Sequence, residues 1–383
     1  MTWQEVVGAV SSDNEAKVQN ILKEYPYLVD VAKRLRESKM KVLDNLDKYV
    51  DRTIRSVEGT GGRAYFASSK EEARKIVGEL TGENKNIVFS KTNVAYEIGL
   101  REYLQSKNND VWETDLGEFL LEISNEWPVH IVIPALDMTK ESAGRAVHKI
   151  DPSIDEKSKV EDIVAAVRKF LMPKYIKADI GITGANAVAA DTGSVVLVEN
   201  EGNIRMDTVM PQTHIAVTGI DKIVPTLRDA IDEALVQSAY AGLFPPTYIN
   251  VTSGPSSTAD IEEKRVSPAT GPSSFSLVLL DDGRLEASRD PDLKEALLCI
   301  KCGRCYFACP IYRVLGKEWV STRSPYNGPT GVMWNYVTNK DPWPASYCVH
   351  SGGCKEVCPM DINIPEVIKN IKFIGSKMLK GRS

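Results

Sequence analysis

Towards its carboxyl end the chain reads Cys299-Ile300-Lys301-Cys302-Gly303-Arg304-Cys305-Tyr306-Phe307-Ala308-Cys309-Pro310, a spacing of Cys-x2-Cys-x2-Cys-x3-Cys-Pro. A second run, Cys348-x5-Cys354-x3-Cys358-Pro359, repeats the last part of the first. All seven cysteines of the 383 residues lie in these two runs. The first spacing is that of bacterial ferredoxins, which bind [4Fe–4S] clusters. The two runs therefore predict an iron–sulfur electron-transfer protein.

The same pattern predicts how the cysteines are shared between two clusters. In two-cluster proteins the fourth cysteine of each run, the one before proline, binds the cluster of the other run. The first [4Fe–4S] cluster is thereby assigned to Cys299, Cys302, Cys305 and Cys358, and the second cluster to Cys309, Cys348 and Cys354. The second set is one thiolate short, because Ser351 stands where the complete pattern has a cysteine. Three outcomes stay open: serine oxygen or water on the fourth iron, a [3Fe–4S] cluster, or a ligand from a partner protein.

Two other uses of the cysteines fit the pattern less well. Zinc sites prefer paired Cys-x2-Cys knuckles with four ligands on one ion, and only His350 of the four histidines is near a cysteine. Structural disulfides are typical of oxidising compartments, and an odd number of tightly clustered cysteines does not suit them.

Composition and charge restrict location and partners. The start, Met1-Thr2-Trp3-Gln4-Glu5, lacks the regions of a secretory signal, and no apolar stretch approaches the roughly 18 residues of a membrane span. We therefore expect a cytoplasmic protein. The net charge is −5, but from Pro291 onward 13 Lys and Arg face 7 Asp and Glu. Anionic clusters account for this basic region. Because it lacks interleaved aromatic platforms, we expect no nucleic-acid partner.

Periodicity divides the chain into three predicted segments. Residues 1–56 indicate amphipathic helix with a break near Pro26. Residues 57–290 alternate predicted strands at 64–67, 86–89, 130–133, 195–198, 214–217 and 275–279 with helices such as 69–80 and 92–105. This alternation favours an α/β domain with a mostly parallel sheet. Residues 291–383 hold the cysteine runs, and the roughly 38 residues between the runs favour an all-helical ferredoxin-type domain over a compact β framework.

Several further stretches resemble a known domain. They are Ala178-Asp179-Ile180-Gly181-Ile182-Thr183-Gly184-Ala185-Asn186, Asp191-Thr192-Gly193-Ser194-Val195-Val196-Leu197 and Pro211-Gln212-Thr213-His214-Ile215-Ala216-Val217. Together they resemble the lactate-utilisation domain. Followed by the two cysteine runs, the order of motifs from about residue 55 to 365 is similar to that of the lactate-utilisation iron–sulfur protein B family.

This resemblance implies a fold, a role and partners. The fold implied for the large domain is that of the glucosamine-6-phosphate isomerase, ribose-5-phosphate isomerase and CoA-transferase group. The role implied is in a complex that oxidises lactate or a related 2-hydroxy acid. Its partners would be a cysteine-rich subunit like those of heterodisulfide reductase and a second lactate-utilisation-domain protein. An alternative is an isomerase-like or CoA-transferase-like enzyme domain with regulatory clusters.

The large domain offers candidates for chemistry. Lys91 follows a predicted strand and precedes a helix, where it could meet an anionic substrate. His214 opens another strand and fits a catalytic or a core position. The acids that could handle protons are Glu97, Asp115, Glu118, Asp191 and Glu199.

Glycine-containing turns in the same domain could form an anion site. Thr183 and Gly184 lie in one turn and Thr192 and Gly193 in another, and their backbone N–H groups could bind an anion. The resemblance adds Asn186 to this set. Tight turns of a sheet explain the glycines equally well.

Overall fold

The computed structural model describes residues 3–320 and 326–380. Its first part is helical: α1 (Trp3–Glu24), α2 (Tyr27–Leu43) and α3 (Leu46–Gly59). Pro26 lies between α1 and α2, where proline is tolerated because the first N–H groups of a helix need no partner within it. Asn45 separates α2 from α3 with a non-helical backbone, a break that the helical periodicity does not indicate.

A parallel sheet forms the centre of the second part. Within the described residues the strands are β1 (Arg63–Ala67), β2 (Asn86–Phe89), β3 (Asp110–Glu113), β4 (Ile180–Thr183), β5 (Ala187–Ala189), β6 (Val195–Glu199), β7 (Thr213–Gly219), β8 (Ile223–Val224), β9 (Tyr248–Thr252) and β10 (Ser274–Leu280). Six of them make one sheet in the order β1-β10-β7-β4-β2-β3, and all its pairs are parallel. A smaller mixed sheet has the order β8-β5-β6-β9. The predicted α/β class with a mostly parallel sheet is confirmed.

Helices cover and connect the strands. They are α4 (Lys70–Thr81), α5 (Asn93–Ile98), α6 (Leu100–Gln105), α7 (Leu116–Ser124), α8 (Lys140–Val147), α9 (Val160–Lys177), α10 (Asn203–Val209), α11 (Leu227–Tyr240) and α12 (Arg284–Arg289). Ser69 caps α4, because its hydroxyl accepts a hydrogen bond from the Glu72 N–H at 3.2 Å. The helix predicted over 92–105 is divided at Gly99, whose φ of +60° ends α5.

The strand predicted over 130–133 is wrong. This stretch is a loop, and the Nδ1 atom of His130 accepts hydrogen bonds from the N–H groups of Val132 and Ile133 at 3.2 and 3.1 Å. His130 also stacks on Phe307, with ring centroids 4.7 Å apart. His130 and Ile131 are therefore buried next to the cysteine-containing part of the chain and not by pairing in the sheet.

In the described residues after 291 the regular elements are all helices, joined by loops. The helices are α13 (Arg304–Phe307), α14 (Pro310–Leu315), α15 (Gly328–Asn339), α16 (Gly353–Glu356) and α17 (Ile364–Lys380). Trp334 on α15 is fully buried among them. The predicted all-helical class of this region is confirmed. In the two described ranges no helix combines the length and the apolar character needed to cross a bilayer.

One apolar core joins the three parts of the chain. It includes Leu35 of α2, Val196 of β6, Tyr306 of α13 and Trp334 of α15, all of them buried. The parallel sheet has two further cores, one towards α4 to α6 and one towards α7 to α9. The helical cysteine region is consequently packed against the α/β part. The same residues can therefore line a site in each of the two parts.

Candidate functional site

The seven cysteines line two separate cavities. The first cavity is lined by Cys299, Cys302, Cys305 and Cys358, together with apolar side chains such as Ile362 and Ile364. The second is lined by Cys309, Cys348 and Cys354. This is the division that the crossing pattern of two-cluster proteins predicts, in which Cys358 and Cys309 leave their own runs.

Left-handed backbone wraps the loops around these cavities. In the first loop Lys301 and Gly303 have φ of +61° and +78°, and in the second His350 and Gly352 have φ of +53° and +87°. Gly303 has a steric reason as well, since a Cβ atom there would lie 2.4 Å from the ring of His130. Such backbone turns successive N–H groups towards a common centre, which suits anionic sulfur ligands.

Hydrogen bonds reach the sulfur atoms of the first cavity. The Lys301 N–H donates to Cys299 Sγ at 3.4 Å, and the Thr330 hydroxyl lies 3.1 Å from Cys305 Sγ. Burial raises the pKa of the Cys302 thiol to about 11 and that of Cys358 to about 12. These thiols stay protonated by themselves, and a bound cation would be needed to deprotonate them. Their donors and their apolar walls fit an iron–sulfur cluster.

The second cavity contains the incomplete ligand set. Ser351 and His350 line it beside the three cysteines, and both are exposed. Val349, which is 61% exposed, also lines it, and Tyr347, two residues earlier in the chain, is 56% exposed.

The spacing of the ligands separates clusters from single ions. No three His, Cys, Asp or Glu side chains among the described residues converge closely enough to hold one metal ion. In a cluster each thiolate binds a different iron, so the thiolates stand further apart than the four ligands of one zinc ion. The arrangement fits clusters better than zinc.

A third, larger cavity of about 290 Å³ lies in the α/β part. It sits at the carboxyl ends of β2 and β4, and four of the sequence-predicted residues line it: Lys91, Asp115, Gly184 and Asn186. Asn186 is held by Gln237, to which it donates at 2.5 Å. Of the other predicted acids, Glu199 also lines the cavity.

The remaining predicted residues lie outside this cavity. Glu97 forms a buried ion pair with Arg284 at 2.8 Å. His214 is buried, with its Nε2 atom 2.8 Å from the Thr183 hydroxyl, and burial lowers its pKa to about 4.

The second predicted anion-binding turn has a structural explanation. Thr192 Oγ1 lies 2.7 Å from Ser194 Oγ within the turn. Gly193 has φ +66°, and a Cβ atom on it would lie 2.4 Å from the backbone nitrogen of Val57 on α3. Close packing of the turn against α3 therefore requires glycine there.

Lys91 stands between the cavity and a buried carboxyl group. Its ammonium group donates to the carbonyl oxygen of Val132 at 3.1 Å and lies 3.8 Å from Glu118 Oε1. Glu118 also accepts a short hydrogen bond from the Tyr96 hydroxyl. Burial raises the pKa of Glu118 to about 7, although the positive charge of Lys91 acts in the opposite direction.

The raised pKa of Glu118 predicts a pH effect on stability. Between its ordinary value of 4.5 and about 7 the unfolded chain releases this proton while the folded chain keeps it. Rising pH therefore favours unfolding, by about 3 kcal/mol in total. Glu118→Gln should lack this loss of stability. The urea midpoint of the variant, relative to that of the wild type, should therefore rise as the pH increases from 5 to 8. Exposed Glu79→Gln serves as the control, and parallel pH profiles for Glu118→Gln and the wild type would contradict the assignment.

Residues that no sequence motif singles out join the large cavity to the first cysteine loop. Lys301 lines both the large cavity and the first cysteine cavity. The carbonyl oxygen of Ile300 accepts hydrogen bonds from Gln237 at 2.7 Å and from Lys222 at 3.4 Å, and both donors line the large cavity. A single loop therefore separates the two sites.

Buried charges stabilise this junction. Asp221 pairs with Arg284 at 2.7 Å and with Lys301 at 3.3 Å, and all three side chains are at most 3% exposed. Glu233 pairs with Lys222 at 3.2 Å and with Lys39 of α2 at 3.1 Å. Because these side chains come from all three parts of the chain, their pairing fixes the cysteine loop against the α/β part.

Family models match most of the chain. The LUD domain matches residues 50–280, and the 4Fe-4S dicluster domain matches residues 295–362. In structure, the chain is similar to a DUF162 family protein from Deinococcus radiodurans, with a TM-score of 0.35, 14% identity, and coverage of 62% of this chain and 98% of that one.

Relatives match most of this chain and about 70% of their own length. Lactate utilization protein B of Bacillus velezensis is 36% identical, over 87% of this chain and 69% of the relative. The protein of that name from Bacillus licheniformis is 37% identical, over 94% and 75%. An uncharacterized electron transport protein of Escherichia coli, YkgF, is 34% identical, over 95% and 74%. With a LUD domain followed by a 4Fe-4S dicluster domain, the chain belongs to the lactate utilization protein B family.

Proposed function

We propose that this chain is the iron–sulfur electron-transfer subunit of a cytoplasmic complex that oxidises lactate or a related 2-hydroxy acid. The observation that carries the proposal is the division of the seven cysteines between two cavities, four in one and three in the other. The names of its relatives, which refer to lactate utilization and to electron transport, support the direction of the proposal.

The first set of residues would hold a [4Fe–4S] cluster, through Cys299, Cys302, Cys305 and Cys358. The second would hold a [4Fe–4S] or a [3Fe–4S] cluster, through Cys309, Cys348 and Cys354. When bound, such clusters accept and release single electrons, at potentials set by hydrogen bonds and exposure. The chain supplies those controls: the Lys301 N–H and the Thr330 hydroxyl stabilise negative sulfur at the first site.

The surface beside the second site suits a redox partner. Trp343, Tyr347 and Val349 are 48%, 56% and 61% exposed. Exposed apolar groups of this kind, close together, often mark interaction sites. We propose that this face contacts a cysteine-rich subunit like those of heterodisulfide reductase, and that a second lactate-utilisation-domain protein completes the complex.

Anaerobic purification tests the proposal. We expect about eight irons per chain with two reduced [4Fe–4S] signals, or about seven with a signal in the oxidised state if the second cluster has three irons. In the second case Ser351→Cys should restore the fourth iron and remove the oxidised signal, because it completes the thiolate set. An unchanged spectrum would reject Ser351 as the vacant corner. Colourless protein without acid-labile sulfide would overturn the proposed function itself.

A further inference from the structure

The large cavity lies where the parallel sheet reverses its order. From β2 the chain continues to β3 on one side, and from β4 it continues to β7 on the other. In open parallel sheets, ligands bind at such a switch point, beyond the carboxyl ends of the strands. Ser90, Lys91 and Thr92 follow β2, Gly184 follows β4, and all four line the cavity. The topology therefore marks this cavity as a ligand site independently of its lining.

Two polar groups at the cavity lack partners. Ser90 is 1% exposed, and its hydroxyl has no hydrogen-bond partner among the described residues. The same is true, within those residues, of the buried Oδ1 atom of Asn93. Buried polar groups in native proteins are nearly always hydrogen-bonded, and an orphan calls for an explanation. A ligand hydroxyl, which can accept from the serine and donate to the asparagine oxygen, would satisfy both.

A cation stands between these two residues in sequence. Lys91 is 15% exposed, and its hydrogen bond to the carbonyl of Val132 uses one of its three donors. Glu118 Oε1 lies 3.8 Å from its ammonium group, which is beyond hydrogen-bond distance. The other two lysines at the cavity, Lys222 and Lys301, are already paired with Glu233 and Asp221. Lys91 is therefore the lysine of the lining best able to pair with an anion.

The acids of the lining are held by donors of the protein. Asp115 accepts from the Glu118 N–H at 3.0 Å, and Glu201 accepts from the Leu116 N–H at 3.0 Å. Glu199 accepts from the Asn250 amide at 2.7 Å. These carboxylates favour a ligand with a single negative charge over a phosphate or a CoA ester, because each added negative charge is repelled.

We propose that this cavity binds a small 2-hydroxy carboxylate, whose carboxylate pairs with Lys91 and whose hydroxyl on C2 accepts from Ser90 and donates to Asn93 Oδ1. The choice of this class rests on the proposed function, while the position and the polar groups are properties of the cavity. Because Lys301 lines both cavities, the bound acid would lie across one loop from the first cysteine set.

Calorimetry on the full, anaerobically purified chain tests the proposal. The probes are L-lactate, D-lactate and pyruvate, with propionate, which lacks the C2 oxygen, and lactamide, which lacks the charge. We expect lactate to bind about tenfold more tightly than either control, since the hydrogen bonds that each control lacks are worth about that much. Pyruvate should bind more weakly than lactate, because its keto oxygen can accept from Ser90 but cannot donate to Asn93. Binding should also shift the EPR spectrum of the first cluster, across the shared loop.

Variants identify the residues. Lys91→Gln should weaken binding about tenfold or more, and Ser90→Ala should weaken lactate and leave propionate unchanged. Lys75→Gln, a lysine that is 76% exposed on α4, is the matched control and should bind like the wild type. Unchanged iron content would show that the variants fold.

Two results would overturn the proposal: equal affinity for propionate and lactate, or binding of sugar phosphates or CoA esters in place of small acids. The second would favour the isomerase-like or transferase-like alternative. Absence of binding in protein with full clusters would refute this site alone, whereas absence of clusters would refute the proposed function.

Discussion

Asp221→Asn is expected to destabilise the folded chain by about 3–5 kcal/mol, the cost of leaving buried cations without their carboxylate. Asp221 is fully buried and is shared by Arg284 and Lys301, at 2.7 and 3.3 Å. After the substitution Arg284 keeps its pair with Glu97, but Lys301 loses its ion-pair partner. Lys301 could then lose its proton or leave its position, and either change would loosen the cysteine loop. Urea unfolding of the anaerobically purified protein measures the effect.

A surface pair provides the matched control. Asp30 lies 3.5 Å from Lys33, and both side chains are more than 70% exposed. Asp30→Asn should therefore change stability by less than about 1 kcal/mol. Similar small effects of Asp221→Asn and Asp30→Asn would contradict the interpretation that Asp221 fixes the cysteine loop. A second readout is the retention of iron by the first cluster, which we expect to fall only in Asp221→Asn.

The charged network could not be predicted from the sequence. Lys39, Asp221 and Arg284 are far apart along the chain, and each alone resembles an ordinary surface charge. Their burial follows from the way α2, the loop after β7 and α12 meet. Long-range packing of this kind leaves no local pattern, and the same holds for Ser90 and Gln237 at the large cavity.

Helices and strands were predicted correctly where neighbouring residues determine the local structure. The helix predicted over 69–80 is present as α4, which Ser69 caps. The strands predicted at 86–89 and 275–279 are present as β2 and β10. These predictions succeeded because capping and strand propensity act over a few residues. The strand predicted at 130–133 failed because its buried residues pack next to the cysteine region, which is more than 150 residues away in the sequence. Periodicity reports that a side chain is buried but not what buries it.

Some candidate site residues were recognisable from a local sequence signal, and others were not. The cysteines were recognisable because cluster ligation imposes a spacing. Lys91 was recognisable because it follows a predicted strand and precedes a helix, a position that topology brings to the ligand-binding edge of a parallel sheet. Asp115 was named only as an acid, and β3 before it was not predicted. Glu97 also lies on the helix after β2, but its side chain turns to Arg284, and no sequence signal distinguishes that direction.

Cys358→Ala is expected to change or remove the EPR signal of the first cluster and leave that of the second, although Cys358 belongs to the second run. It lines the cavity of Cys299, Cys302 and Cys305, where burial raises the pKa of its thiol to about 12. Loss of one of four thiolates exposes an iron and leaves three, the number that the second site has, so between one and four irons per chain should be lost. Iron and sulfide analysis with EPR of the reduced protein measures the loss.

Cys309→Ala is the reciprocal variant and makes the assignment decisive. Cys309 belongs to the first run but lines the cavity of Cys348 and Cys354, so its loss should affect the second signal and spare the first. If each run held its own cluster, the two variants would exchange their effects. Loss of both signals in both variants would instead mean that neither cluster forms alone. Only crossed ligation predicts that each substitution changes or removes the cluster of the other run, because a ligand set is defined by the cavity that its sulfur atoms share.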